Sequence, residues 1–250
     1  MTPTSLADTT AIVTGASRGF GRAISGALVE RGARVIGVAR DRQALDDVRD
    51  HLGTAFTPVV EDVTAPGLAA RLIAEHQPQL LVLNAGATPH PATIGDQTWE
   101  TFSRNWDVDV RHAFEFTKAA LEAPMASGSS VISVSSGAAR MGSPLSGGYA
   151  GAKATVSFIS AYARAESERT ALGISFVSVL PKITGATQLG STFIDAYATY
   201  AGLDRASYLD QLGPSLTADQ VGSAIVELAD AGSDAAASYL LTTDGLQLVP

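Results

Sequence analysis

The sequence predicts an α/β fold, in which one domain over residues 1–250 contains a doubly wound parallel sheet of about seven strands with helices on both faces. Short β-branched runs alternate with longer segments whose apolar residues recur at helical spacing, which is typical of parallel strands joined by crossover helices. A hydrophobic fraction of 46% is enough for a sizeable core, and no repeat, low-complexity tract or linker divides the chain.

The predicted elements follow one another regularly. Strands are short apolar runs between turn-forming residues, at Ala11–Thr14, Arg34–Ala39, Ala55–Val60, Leu80–Leu83, Val131–Val134, Ile174–Val179 and Ser238–Leu241. Helical periodicity fills the intervals, at Gly21–Arg31, Arg42–His51, Gly67–His76, Thr98–Ala123, Tyr149–Arg169 and Thr217–Ala231. Right-handed crossovers should connect the strands. Because ligands bind at the carboxyl edge of such a sheet, functional residues are expected just after each strand.

The composition argues against several classes of protein. The chain has no cysteine, which excludes disulfides, thiolate zinc sites and cysteine nucleophiles, and its four histidines show no metal-ligand spacing. A net charge of −8 and a pI near 4.9 argue against partners such as nucleic acid or an anionic membrane. No secretory signal is apparent, and the apolar runs are far shorter than the roughly 18 residues that span a bilayer. We expect a cytoplasmic protein without a metal.

A glycine-rich turn follows the first predicted strand and opens the first helix. Glycines let the backbone turn sharply and approach a pyrophosphate, and a helix N-terminus offers unpaired N–H groups. The spacing differs from the GxGxxG pattern, and a purely structural turn is the alternative interpretation. The position directly after the strand favours a dinucleotide phosphate site, whose candidate residues are Gly15, Ser17, Arg18, Gly19, Phe20 and Gly21.

The second predicted strand ends without the acidic residue that would bind an adenosine ribose. Arg40 stands there instead, and Arg18 lies in the glycine turn. Two guanidinium groups at this point would suit a 2′-phosphate, which favours NADP(H) over NAD(H). The alternative is that both arginines are solvated surface residues. Asp41 is expected to cap the next helix.

Polar and small residues also follow the third and fourth predicted strands. Asp62 and Val63 follow the third, and Asn84, Ala85 and Gly86 follow the fourth. Either group could be an ordinary turn, because Asp, Asn and Gly are common turn residues. Their shared edge of the sheet favours adenine contact for the first group and a cofactor floor for the second.

A serine, a tyrosine and a lysine suggest proton-transfer chemistry. Ser136 follows the fifth predicted strand, and Tyr149 and Lys153 lie four residues apart on one face of the next helix. A nearby ammonium group lowers the pKa of a phenol and makes it a better acid–base group. The serine hydroxyl could orient a carbonyl or alcohol oxygen. Surface packing of the tyrosine and lysine is the rival interpretation.

Taken together, these motifs resemble those of the short-chain dehydrogenase/reductase family, and the similarity spans nearly the whole chain. The segments TGASRGFG (14–21), DV (62–63), NAG (84–86), Ser136 and YAGAK (149–153) stand in the order and spacing of that family. The resemblance implies a Rossmann-type sheet and a nicotinamide cofactor. It also implies that Tyr149 is the general acid–base, that Ser136 orients the substrate, and that Lys153 binds the ribose and lowers the pKa of the tyrosine.

By the same resemblance, Arg18 and Arg40 match the NADP-preferring pattern of the family. Homotetramers and homodimers, packed through helices equivalent to 98–123 and 149–169, are common among its members. We expect such an assembly here.

Asp109 departs from the family pattern, in which an asparagine occupies the fourth catalytic position. An ionised aspartate only accepts hydrogen bonds, and its charge beside Lys153 would partly offset the pull of that lysine on Tyr149. We therefore hypothesise a slower enzyme or a more alkaline optimum for oxidation. Asn105, one helical turn earlier, is a candidate for the missing amide, although a surface asparagine is the favoured interpretation.

The segment after the sixth predicted strand departs from the family's Pro-Gly pattern. Pro181, Ile183 and Thr184 are expected to line the nicotinamide, whereas Lys182 in place of glycine has no explanation. Residues 185–214 are expected to form a substrate lid. Its candidate apolar contacts are Phe193, Ile194, Tyr197, Tyr200 and Tyr208. Packing of these side chains onto the core or a neighbouring subunit is the equal alternative.

The leading prediction is an NADP(H)-dependent oxidoreductase that interconverts a ketone and a secondary alcohol, acting on a small-molecule, medium-sized and largely apolar substrate. Two alternatives remain open. One is an NADP(H)-binding or sensor protein with weak catalysis, and the other is an epimerase or dehydratase that retains its cofactor.

Overall fold

The computed structural model describes residues 6–123 and 125–249, and it confirms the predicted α/β fold class. The strands are β1 (Thr10–Thr14), β2 (Arg34–Ala39), β3 (Phe56–Val60), β4 (Leu80–Leu83), β5 (Ser130–Val134), β6 (Ser175–Pro181), β7 (Ser238–Thr242) and β8 (Gly245–Leu248). They form one sheet in the order β3-β2-β1-β4-β5-β6-β7-β8, in which only β8 runs antiparallel to its neighbour.

The helices connect these strands on both faces of the sheet. They are α1 (Gly19–Glu30), α2 (Arg42–Leu52), α3 (Leu68–His76), α4 (Trp99–Asn105), α5 (Arg111–Glu122), α6 (Ala138–Met141), α7 (Gly148–Thr170), α8 (Gln188–Tyr200), α9 (Arg205–Leu212) and α10 (Ala218–Ala231). A π-helical turn over Trp106–Val110 joins α4 to α5. Three short 3₁₀ turns complete the helical elements, at Gly53–Ala55, Ile94–Asp96 and Gly232–Asp234.

The core has two layers because side chains alternate across each strand. On β1, Ala11 and Val13 face the layer that contains α1 and α10, whereas Ile12 faces the layer that contains α3 and α5. Because β1, β4, β5 and β6 run parallel, the loops at their carboxyl ends lie along one edge of the sheet.

Two predictions need correction. The sheet has eight strands rather than seven, because Gly245–Leu248 folds back on β7; this run is too short, and too interrupted by Gly245 and Gln247, to show strand periodicity. The helix predicted over 98–123 contains the π-helical turn, which a period of 3.6 residues does not reveal. Among the described residues, no helix is long and apolar enough to cross a membrane.

Candidate functional site

The glycine turn after β1 is folded so tightly that a side chain would not fit at Gly15 or Gly21. Gly15 has a φ of +68°, and a Cβ on Gly21 would lie 2.1 Å from the carbonyl oxygen of Gly15. The Asn84 amide donates hydrogen bonds to the carbonyls of Thr14 and Gly15, at 3.0 and 3.4 Å. Within the described chain no side chain caps the N-terminus of α1, so its N–H groups face the turn unpaired. This arrangement fits a bound anion.

The structure gives the two candidate phosphate arginines different partners. Arg18 donates a 2.9 Å hydrogen bond to the side-chain oxygen of Gln188, at the start of α8. Arg40 lies 3.6 Å from the carboxylate of Asp62 and is 77% exposed. The guanidinium groups of Arg18 and Arg40 therefore each contact a side chain that is itself exposed to solvent. The Gln188 contact was missed in the sequence because the two residues are 170 positions apart.

Asp62 also closes a local turn. Its Oδ1 accepts hydrogen bonds from the backbone and hydroxyl of Thr64, at 2.9 and 2.7 Å. These two bonds, together with Arg40, hold the pKa of Asp62 below its ordinary value. As expected, Asp41 caps α2 by accepting a bond from the Ala44 N–H, and Val63 is buried beside the turn.

Asn84, Ala85 and Gly86 connect the glycine turn to the next part of the site. The backbone N–H groups of Asn84 and Ala85 donate to the Thr14 hydroxyl, at 2.9 and 3.1 Å. Gly86 lies so close to Asp109 that a Cβ would be 2.8 Å from a carboxylate oxygen. The segment thus links the glycine turn to Asp109, and its small residues admit that buried carboxylate beneath it.

Tyr149 and Lys153 lie on the buried face of α7, beside the end of β5. The ammonium nitrogen of Lys153 is 5.9 Å from the centre of the Tyr149 ring and donates a 3.1 Å bond to the Val134 carbonyl. The side chain of Ser136 lies close enough to Tyr149 to lower its pKa by hydrogen bonding. At Gly148 a Cβ would be 1.8 Å from the Phe102 carbonyl, so a glycine is needed where α7 begins against α4. The structure therefore brings the predicted serine, tyrosine and lysine together.

Asp109 completes this group with a buried ion pair. Its Oδ2 lies 3.2 Å from the Lys153 ammonium, and the two side chains are 1% and 8% exposed. Its Oδ1 accepts a 2.7 Å hydrogen bond from the Ala87 N–H. Asn105 is 1% exposed and donates to the Ala87 carbonyl and to Asp109, at 3.0 and 3.4 Å. The interpretation of Asn105 as a surface residue was wrong, because the π-helical turn carries both side chains inward.

The electrostatics of the group differ from the simple expectation. Burial raises the pKa of Tyr149; Lys153 and Ser136 lower it, whereas Asp109 and Tyr197 raise it further, and the result lies above the ordinary value. Burial lowers the pKa of Lys153, but the charge of Asp109, with help from Tyr149, reverses this and leaves that pKa raised. The lysine does favour the phenolate, yet burial and the carboxylate outweigh it.

His112, on α5, is a buried neighbour that the sequence reasoning missed. Burial, and secondarily the charge of Lys153, lower the pKa of His112 to about 3, although a hydrogen bond to the Ala85 backbone opposes the shift. The ring packs edge-on against Phe116 with centres 5.0 Å apart. His112 is therefore neutral near pH 7. No spacing in the sequence marks this position.

The segment after β6 leads from the sheet into α8. Thr184 is buried, and its hydroxyl donates to the Leu216 carbonyl; Lys182 is exposed.

Thr187 caps α8, and its methyl group lies 3.5 Å from the position of a Cβ on Gly19. Thr187 thus faces the glycine turn directly, which the sequence reasoning did not single out. Pro181 ends β6 at the same edge of the sheet, followed by Ile183, which is partly buried.

An aromatic ladder extends from Tyr149 into the predicted lid, which contains α8 and α9. Ring centres are 5.7 Å apart between Tyr149 and Phe193, 5.8 Å between Phe193 and Tyr197, and 6.1 Å between Tyr197 and Tyr208. Ile194 is 1% exposed and packs inward, whereas Tyr200 is 58% exposed. A cleft of about 390 Å³ lies beside this ladder, lined by Thr93, Ile94, Ser143, Pro144, Gly147 and Tyr200.

Comparison with known proteins gives consistent matches. A family model described as short chain dehydrogenase matches residues 9–197. A 3-oxoacyl-acyl-carrier-protein reductase of Salmonella typhimurium is 32% identical over 180 residues, which is 68% of this chain and 71% of that protein. An NADPH-dependent pterin aldehyde reductase of Arabidopsis thaliana is 27% identical over 204 residues, 78% of this chain and 83% of that protein. An uncharacterized short-chain type dehydrogenase/reductase of Sinorhizobium fredii is 35% identical over 112 residues, but the match spans only 45% of this chain and 44% of that protein.

Proposed function

We propose, from the premise that the chain belongs to the short-chain dehydrogenase/reductase family, that it is an NADP(H)-dependent oxidoreductase interconverting a ketone and a secondary alcohol. Members of this family are oxidoreductases that use nicotinamide cofactors. The observation that carries the finer proposal is the convergence of Ser136, Tyr149 and Lys153 beside a glycine turn at one edge of the sheet.

The residues present fit a dinucleotide. The turn has no room for a side chain at Gly15 or Gly21, and the uncapped start of α1 provides N–H donors for phosphate oxygens. The exposed guanidinium groups of Arg18 and Arg40 support a 2′-phosphate, and one relative is named for NADPH dependence. Further contacts at the same edge are proposed for Ser17, Phe20, Asp62, Val63, Asn84, Ala85, Gly86, Pro181, Ile183 and Thr184.

The side chains around Tyr149 would carry out the proton transfer. The cofactor, when bound, supplies the hydride that adds to the carbonyl carbon. Ser136 holds the carbonyl oxygen, and Tyr149 gives its phenolic proton to that oxygen as the alcohol forms. The Lys153 ammonium, 5.9 Å from the ring centre, stabilises the phenolate that remains. Alcohol oxidation uses the same groups in reverse and starts from the phenolate.

The cleft beside the aromatic ladder favours an uncharged, medium-sized substrate. Its lining consists of hydroxyl, aliphatic and aromatic groups and includes no charged side chain among the described residues. A neutral ketone with an apolar body would bury against Pro144 and Tyr200 without leaving a charge unpaired.

We propose a homodimer or homotetramer, because large apolar side chains are exposed along two helical segments. On α4, the π-helical turn and α5 they are Trp99, Trp106 and Phe114, and on α7 they are Phe158 and Tyr162. Exposed aromatic patches of this kind mark protein interfaces.

Turnover with purified protein tests the proposal. We expect NADPH, in preference to NADH, to be oxidised with members of a panel of ketones and β-ketoesters, and Tyr149→Phe to lose at least about a hundredfold in kcat. Tyr162→Phe, which removes the hydroxyl of another tyrosine on the same helix but keeps its ring at the proposed interface, is the matched control and should retain activity. Full activity in Tyr149→Phe would contradict the assigned acid–base.

The pairing of Asp109 with Lys153 supports a second candidate, a protein that binds NADP(H) with little or no turnover. Tight NADPH binding without consumption on any ketone of the panel would favour it over the reductase.

A further inference from the structure

Asn105 and Asp109 are neighbouring buried side chains beside the candidate acid–base Tyr149, and they act together. We infer that Asn105 is a positioning residue, whose amide, tied to Ala87, holds the Asp109 carboxylate on the Lys153 ammonium, so that Asn105 and Asp109 together set the proton state of Tyr149. This inference rests on the proposed acid–base role of Tyr149.

The backbone of one residue, Ala87, orients both side chains. Its N–H donates to Asp109 Oδ1 at 2.7 Å, and its carbonyl accepts from the Asn105 amide at 3.0 Å. The same amide lies 3.4 Å from Asp109 Oδ1. With Oδ1 fixed by two donors, Oδ2 is turned toward Lys153, 3.2 Å away. Oδ2 is buried and has no other polar partner in the described chain, so the ammonium alone compensates its charge.

Two backbone features make this approach possible. The π-helical turn over Trp106–Val110 places Asn105 and Asp109 on the same inward side, while Asp107 of that turn remains exposed. Gly86 leaves space above the carboxylate, where a Cβ would come within 2.8 Å of it.

The consequence is that the positive charge of Lys153, which lies beneath the phenol, is offset by a carboxylate. The charged or titratable groups that bear on Tyr149 are Lys153 on its own helix, Asp109 on the π-helical turn and Tyr197 on α8. His112 on α5 lies near Lys153 and is neutral, and Asp62, after β3, lies near His112. Lys153 is the one cation of this set, and Asp109 offsets it. Tyr149 therefore keeps its proton, which carbonyl reduction uses, to higher pH than an unopposed lysine would allow.

A double-mutant cycle tests the coupling. The variants are Asn105→Leu, which keeps the volume but removes both donated bonds, Asp109→Asn, and the two combined. The measurement is phenolate absorbance as a function of pH in the apoprotein. Subtracting the same titration of a Tyr149→Phe variant in each background removes the signal of the other tyrosines and leaves the ionisation of Tyr149. We expect Asp109→Asn to move the ionisation of Tyr149 down by about one pH unit and Asn105→Leu to give a smaller shift in the same direction. In the Asp109→Asn background, Asn105→Leu should add nothing.

Asp107→Asn is the matched control, because it removes the same charge from an exposed position on the same turn and should leave the titration unchanged. Thermal unfolding of each variant checks that it folds. An equal shift from Asn105→Leu with and without Asp109, or no shift from either single variant, overturns the inference. The titration does not require turnover, so the expected shifts in a protein that reduces no ketone would uphold the positioning role and reject the proposed function instead.

Discussion

The two ends of the candidate site hold their charges in opposite ways. Lys153 and Asp109 form a buried pair, at 3.2 Å and with side chains 8% and 1% exposed. Arg40 and Asp62 form an exposed pair, at 3.6 Å and with side chains 77% and 45% exposed. A buried pair is costly to break and shapes the proton affinity of its neighbours, whereas an exposed pair contributes little and exchanges partners readily. The buried pair is thus suited to chemistry, and the exposed pair to releasing its cation to a ligand.

The largest expected effect comes from breaking the buried pair. Lys153→Met leaves the Asp109 carboxylate buried without a cation, and we expect the free energy of unfolding to fall by about 3–5 kcal/mol. Adding Asp109→Asn removes the orphaned charge and should restore most of the loss. Urea denaturation measures both. Arg40→Met at the exposed pair should change stability by less than about 0.5 kcal/mol. Equal losses of unfolding free energy in Lys153→Met and Arg40→Met would contradict the difference between the buried and the exposed ion pair.

A second prediction concerns the pH dependence that the buried region imposes on the fold. His112 has a pKa of about 3 in the folded protein against 6.5 for the free side chain, so the unfolded chain binds the extra proton between these values. Stability should therefore fall as the pH drops from about 6.5 toward about 3. His112→Phe should flatten this part of the curve. His51→Gln, at an exposed position on α2, is the control and should follow the parent; a parallel decline in His112→Phe would assign the pH dependence to other groups.

The smallest effect is expected at the exposed pair and appears only with ligand. Arg40→Gln should weaken NADPH binding by about tenfold to a hundredfold, because a charged hydrogen bond to phosphate is worth roughly 1.5–3 kcal/mol. NADH binding should barely change. Arg42→Gln, on the exposed first turn of α2, is the matched control, and fluorescence titration with both cofactors gives the ratio. An equal loss for NADH would mean that Arg40 does not recognise the 2′-phosphate.

The sequence was most informative where local pattern decides the structure. The bounds of β2 and β4 agree with the prediction, because both are short apolar runs that are buried almost throughout. The grouping of Ser136, Tyr149 and Lys153 followed from their positions after β5 and on one helical face. The inward turn of Asn105 did not, because it depends on a π-helical turn and on contact with Ala87. The contact between Arg18 and Gln188 is equally non-local.

The hydrogen bonds of Thr14 have a consequence for the order in which the protein assembles. Its hydroxyl donates to the Val82 carbonyl and accepts from the N–H of Asn84, so these bonds close loops of 68 and 70 residues. Closing loops of this length costs chain entropy before any contact repays it. The hydrogen bonds from Asn84 to the glycine turn therefore form only after β4 has docked beside β1. A nascent chain that has emerged only as far as β3 has all the glycines of the turn and the Val38 carbonyl that accepts from Gly15, but it lacks the hydrogen bonds of Asn84.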